Sequence, residues 1–237
     1  LSGLTTTVWE EGSAGNFSVK QITDTSTDAT GDYAVAQNES TIATGRSSHA
    51  EGRFTSALGD YSHAEGFSTE ANGNNSHAEG TATRANGLHS HSQNFNTFAN
   101  GDSSHAEGSS TIADGEASHA QNENTTAAGI NSHAGGFNSV ATGQQSFIHS
   151  TDSLVSGDRS VVIGGQNITG TTADTVYVPF LNINNVGVGA SINNLGIDSN
   201  GFVVVGATDE NVFVNSGNAN AATQQLTFTN TTGGTFN

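Results

Sequence analysis

Ser48-His49-Ala50-Glu51-Gly52 returns as Ser62-His63-Ala64-Glu65-Gly66, as Ser76-His77-Ala78-Glu79-Gly80 and as Ser104-His105-Ala106-Glu107-Gly108, with close variants starting at Ser90, Ser118 and Ser132. Every interval is a multiple of fourteen residues. Carried outward in both directions, this frame predicts an array over 34–173, ten units of fourteen with no insertion. A fixed period of this kind is the mark of a stacked repeat, in which one short unit cannot bury its own apolar face and leans on its neighbours.

Counting each unit from the residue at the Ser position, the first (Ser), third (Ala), eighth (Thr or Ser), tenth (Ala) and twelfth (Gly) positions vary least along the chain. The third row includes Ala50, Ala64, Ala78, Ala106 and Ala120 and ends on Ile148 and Val162; the tenth includes Ala57, Ala71, Ala85, Ala113 and Ala127 and ends on Val155 and Thr169. Side chains alternate across a pleated strand, so residues two apart share a face and these two rows point into one narrow interior. A turn falls at the twelfth position in Gly45, Gly59, Gly73, Gly87, Gly101, Gly115, Gly129, Gly143 and Gly157. Gly or Asn at the fifth suits the positive φ of a tight turn. A helix fits none of this, because the small residues lack its three-to-four spacing. The expectation is an all-β solenoid, strand-turn-strand-turn in each coil.

The outward positions on the first strand are nearly uniform. The second-position row contains His49, His63, His77, His91, His105, His119 and His133, then Phe147 and Val161; the fourth contains Glu51, Glu65, Glu79, Gln93, Glu107 and Gln121, and later Ile163. The ninth position, by contrast, wanders through Ser56, Glu70, Arg84, Phe98 and Ile112, as a solvated face does. Two buried methyl groups per coil offset little of the entropy lost in ordering fourteen residues. The roll therefore needs a second buried face, and a uniform outward row calls for a uniform neighbour. A parallel homotrimer with the His row at its axis meets that need.

The rest of the composition narrows the function. Of 237 residues, 22 are acidic and 5 basic, giving a net charge of −17, and the cations Lys20, Arg46, Arg53, Arg84 and Arg159 do not cluster. Such a field repels phosphate, which argues against nucleic acid as a partner. There are no Cys residues, which rules out disulfides and thiolate metal sites. No apolar run has the length of a membrane helix, so no membrane insertion is expected. The chain opens on Leu1 and lacks Met, in keeping with a segment of a longer protein.

Ser160-Val161-Val162-Ile163-Gly164 is close to the Ser-Val-Ala-Ile-Gly core of the fourteen-residue coil in the heads of YadA-type trimeric autotransporter adhesins, and the array resembles such a head. The Ser-His-Ala-Glu-Gly form resembles coils of phage tail fibres and tail spikes. That resemblance implies a left-handed parallel β-roll in a homotrimer, a structural and adhesive role, and a place on a virion or a cell surface. The implied partners are copies of the same chain, other fibre or tail components and a host-surface receptor such as a glycan. The departure from the family pattern lies in His and Glu where Val and Ile are usual. Around the roll, 1–33 reads as a lead-in, 174–206 as a β-rich connector with a hairpin turning at Ser199 to Gly201, and 207–237 as a shaft segment with strands at Asn211–Asn215 and Gln225–Thr229. Gly15–Val19 echoes Gly234–Asn237, as shaft modules on both sides would.

No catalytic constellation emerges. One repeated environment cannot supply the distinct roles a reaction needs, and adjacent Ser and His point to opposite faces of a strand. No cofactor is called for, and Asp198 with Asn200 lacks the bidentate Glu of a calcium loop. The His row reads first as a polar seam of His–Glu hydrogen bonds in which the carboxylates raise the His pKa values; an axial metal or an anion is the alternative, with His89 and His91 a weak His-x-His candidate. Phe67, Phe95 and Phe137, at the sixth position, are expected to pack against a neighbouring protomer or, less readily, to bind sugar.

Overall fold

A typical coil runs as a five-residue strand, a corner, a two-residue strand and a second corner, as in His77–Thr81 followed by Arg84–Ala85; the first strand is shorter at His119–Ala120 and longer at Val161–Gln166. The computed structural model describes residues 9–21 and 26–179, with the strands Leu195–Ile197, Val203–Val205, Ser216–Asn220, Gln225–Thr229 and Thr235–Phe236. The chain divides into two compact units, Leu1–Leu181 and Asn182–Asn237.

In the first unit, coils stack in parallel with like residues in register: His77 lies between His63 and His91, and Ala78 between Ala64 and Ser92. The long strands form a 13-stranded sheet and the short ones an 11-stranded sheet. At about 4.8 Å between strands, the roll is about 50 Å long. Between the sheets lie the alanines of the third and tenth positions, all fully buried. They are flanked by buried Thr of the eighth position and Ser of the first. Ser48, Ser90 and Ser146 turn their hydroxyls onto the carbonyls of Gly45, Gly87 and Gly143 at 2.7 Å, closing the corner. At the twelfth position glycine answers to stacking distance: a β carbon on Gly73 would lie 2.0 Å from the Gly87 carbonyl oxygen.

The coil count is eleven, not ten. Val19 pairs with Val35 and Asp28 with Ile42, so a coil lies within the stretch expected to be a lead-in. It runs sixteen residues between Val19 and Val35 and lacks the His marker; Thr27, Ala29 and Gly31 keep the fourteen-residue frame, but two extra residues between Lys20 and Thr27 put Ser18 and Val19 out of it, which hid the coil. Trp9–Glu11 pairs antiparallel with Val19–Gln21 and covers the edge that this coil would otherwise leave open. At the other end, the reading without insertion is corrected. Leu154 pairs with Thr169 and Val155 with Gly170, fifteen residues on, so Gly170 rather than Thr169 takes the tenth place. The extra residue enters at a bulge between His149 and Thr151, opposite Gly164 and Gly165, whose φ values are 68° and 75°. Tyr177 packs over the Cα of Gly170, and its hydroxyl accepts the Thr172 amide at 2.9 Å.

In the second unit Leu195–Ile197 pairs antiparallel with Val203–Val205, and Gln225–Thr229 lies between Ser216–Asn220 and Thr235–Phe236. The predicted turn at Ser199 to Gly201, the strand Asn211–Asn215, the pair Asp198 and Asn200, and Gly234 and Asn237 of the terminal echo lie outside the described residues. Among the described residues no helix is long and apolar enough to cross a membrane.

Candidate functional site

The uniform outward row becomes a ladder. Imidazole rings from His49 to His119 stack face to face, with centroids 4.8–4.9 Å apart and planes within 6° of parallel. The strand spacing imposes this: identical side chains in identical rotamers repeat at the separation of the backbone. The ladder turns at His133, whose ring stands at 88° to His119, and continues onto Phe147 at 4.7 Å and 17°. Val161 extends the row half-buried, whereas Ile163 is 50% exposed.

Beside the rings, each carboxylate reaches forward to the imidazole of the next coil. Nε2 of His63, His77, His91 and His119 lies 3.6, 3.5, 3.4 and 3.2 Å from Oε1 of Glu51, Glu65, Glu79 and Glu107. Gln37 donates to Oε2 of Glu51, and Gln93 to Oε2 of Glu107 at 2.8 Å, so each glutamine turns the opposite oxygen toward its histidine. Gln121 takes up the Nε2 of His133 at 3.2 Å. Nε2 of His49, His63, His77, His91 and His105 is buried without a hydrogen-bond partner.

The electrostatics run opposite to the expectation of raised His pKa values. His63, His91, His105 and His133 are held below their ordinary value, first by burial and then by the adjacent imidazoles: His49 and His77 on His63, His77 on His91, His91 and His119 on His105, and His119 and His149 on His133. The carboxylates, Glu65 and Glu51 on His63, Glu79 and Glu107 on His91, and Glu107 on His105 and His133, pull upward without reversing the sign that burial sets. For Glu107, desolvation pushes up, but the hydrogen bond from Gln93, the attraction of His105 and the hydrogen bond from His119 prevail and lower it.

His89 does not join the ladder. It sits exposed on the corner with φ 58°, while His91 lies on the strand. Phe67, Phe95 and Phe137 are 43–55% exposed along the other corner, where Arg53 covers Phe54 at 4.7 Å and Phe67 at 5.7 Å. Sequence reasoning missed an amide ladder at the eleventh position: Asn72 donates to Asn86, Asn86 to Asn100 and Asn100 to Asp114, at 2.6–2.7 Å. Its signal was present as three Asn spaced fourteen residues apart, followed at the same interval by Asp114.

Comparison with known families gives one match. The family model described as the YadA head domain repeat fits twice, over residues 36–62 and 120–146, while no curated protein matches. Both matches begin on an interior Ala, end on a corner Ser and lie six coils apart, in the same phase as the stacked strands. The chain therefore carries YadA head domain repeats, and the parallel β-solenoid is the structure they build.

Proposed function

We propose that this chain is a non-catalytic structural and adhesive segment of a homotrimeric fibre. One observation carries the reading: a roll whose interior holds little beyond Ala, Ser and Thr presents, on the outer face of the same sheet, an uninterrupted row of half-buried rings at one height per coil. A surface that regular is matched by the same surface on a copy in the same register, and three copies around an axis bury all three rows together. The His–Glu row, continued by Phe147 and Val161, then forms the seam, and the variable ninth-position face remains outside for a receptor such as a surface glycan.

The fibre would be a phage tail fibre, exposed on the virion and joined to other tail components, in line with the His-bearing form of the repeat. The YadA head match favours a second setting, a trimeric autotransporter-type adhesin on a bacterial surface. The genetic neighbourhood of the parent protein separates the two: virion-assembly genes fit the first, a membrane-anchor segment in the same reading frame the second. The trimer is tested by native mass measurement of the isolated chain at micromolar concentration. The expected mass is about three times the 24.1 kDa of one chain, and a stable folded monomer would overturn the seam.

A further inference from the structure

We propose that the first coils of the ladder form a site for one divalent transition-metal ion of the zinc class, held by His63 together with either His49 and Glu51 or Glu65 and His77. The ligand atoms of His49, Glu51 and His63 lie within 4.8 Å of one another, and so do those of His63, Glu65 and His77. All come from one chain, so the site does not depend on the trimer.

The distances favour an ion over a hydrogen bond. Oε1 of Glu51 and Glu65 stands 3.6 and 3.5 Å from the next histidine's Nε2, well beyond the roughly 2.7–2.9 Å of a charge-assisted hydrogen bond. Two ligands bound at about 2.0–2.2 Å with a tetrahedral angle between them are separated by about 3.4 Å. Within the chain, Nε2 of His49, His63 and His77 is buried and without a hydrogen-bond partner. One carboxylate is already oriented, because Gln37 holds Oε2 of Glu51 and leaves Oε1 toward His63, as outer-shell groups orient metal ligands.

Stacked rings present one difficulty. His49, His63 and His77 have planes within 6° of parallel, so their in-plane lone pairs do not converge. One ring must turn. The ladder already contains that turn, since His133 stands at 88° to His119 with the centroid spacing kept at 4.9 Å. Two nitrogens and one carboxylate oxygen suit zinc and its neighbours, with water completing the shell, and do not suit calcium or magnesium, which take oxygen ligands. Because His63 is common to both clusters and offers one ring nitrogen to an ion, the two are alternative positions and the capacity is one ion per chain.

The test uses the tag-free 237-residue chain, stripped with a chelator and titrated with Zn²⁺ by calorimetry and with Co²⁺ by visible absorption. The expected result is saturation at one ion per chain, with the intense Co²⁺ bands of a four-coordinate site. His63→Phe should lose binding altogether; the ring is kept, as Phe147 keeps it when it stacks on His133. His49→Phe should still bind one ion through His63, Glu65 and His77, while His49→Phe with Glu65→Gln should bind none. His105→Phe, the same change outside both clusters, should bind as the parent does. Circular dichroism confirms folding, and if His63→Phe does not fold, the His49→Phe, Glu65→Gln pair decides. No saturable uptake by the parent, equal loss from His105→Phe, or uptake that survives His63→Phe and disappears with His89→Ala would each overturn the proposal.

Discussion

Tyr61, Asn75 and His89 at one corner, and Phe54, Ser68 and Ala82 at the other, hold φ between 56° and 60°. Left-handed backbone costs an L-residue with a β carbon roughly 1–2 kcal/mol. Stacking offsets it: the amide of Ala82 donates to the Phe67 carbonyl and that of His89 to the Asn74 carbonyl, each at 2.9 Å. Ala82→Gly removes the β carbon and keeps the bond, so after the greater freedom of glycine in the unfolded chain it should stabilise the roll by about 0.5–1 kcal/mol. A denaturant midpoint shifted upward would show it, and a downward shift would mean that the corner carries no strain. The period revealed where these corners fall, but their backbone conformation was not legible. Tyr, His, Phe, Ala, Ser and Asn all occupy them, because the compensating hydrogen bond is made by the backbone and leaves no side-chain signature. The fifth position was legible, since Gly52 at φ 110° and Asn94 at φ 82° are the residue types that such backbone favours.

A strand of this roll has one face that accepts no volume and one that accepts nearly anything. Ala78 is fully buried with Ala64 and Ser92 in register on either side, so Ala78→Leu forces larger atoms between stacked coils and should cost about 1–3 kcal/mol per chain. Glu70, on the outer row, pairs with Arg84 at 2.9 Å, but their side chains are 36% and 49% exposed. An ion pair that wet contributes between 0 and about 1 kcal/mol, and Glu70→Gln should leave the melting temperature almost unchanged. Thermal denaturation of the two variants side by side measures the contrast, and equal shifts would assign the faces backwards. Small residues two apart made this orientation readable from the amino-acid order alone. The register slip at the end of the array was not readable, because Gly164 stands where a fifth-position glycine is expected and Gly165 follows unmarked. The traces were Thr169, which breaks the tenth-position row of Ala and Val, and Thr171, which breaks the run of twelfth-position glycines; in the fold Gly170 and Thr172 take those places.

Across the whole molecule the row of histidines was legible as a row, but the sign of its electrostatics was not. His–Glu pairing alone argues for raised His pKa values; at His63, His91, His105 and His133 that argument fails because burial within the ladder, with the adjacent imidazoles, outweighs the carboxylates, which the spacing of strands decides and the order of residues does not show. The consequence reverses the expected pH dependence. A histidine whose folded pKa lies below its unfolded value near 6.5 contributes fully above that value and loses its contribution as pH falls through the lowered one. His105 and His133 are such groups, and Glu107, also lowered, withdraws its share at still lower pH. Acidification has an opposing effect, since protonating some of the 22 acidic groups relieves the repulsion within a chain of net charge −17. Comparing the parent with His105→Phe, His133→Phe separates the two, because the double variant keeps every carboxylate and, on the precedent of Phe147, keeps the stack. In chelator, the parent's melting temperature should fall between pH 7.5 and pH 5, and the variant's fall should be smaller over the same interval. A parent that becomes more stable toward pH 5, or a variant that tracks it at every pH, would show that the ladder is not held neutral.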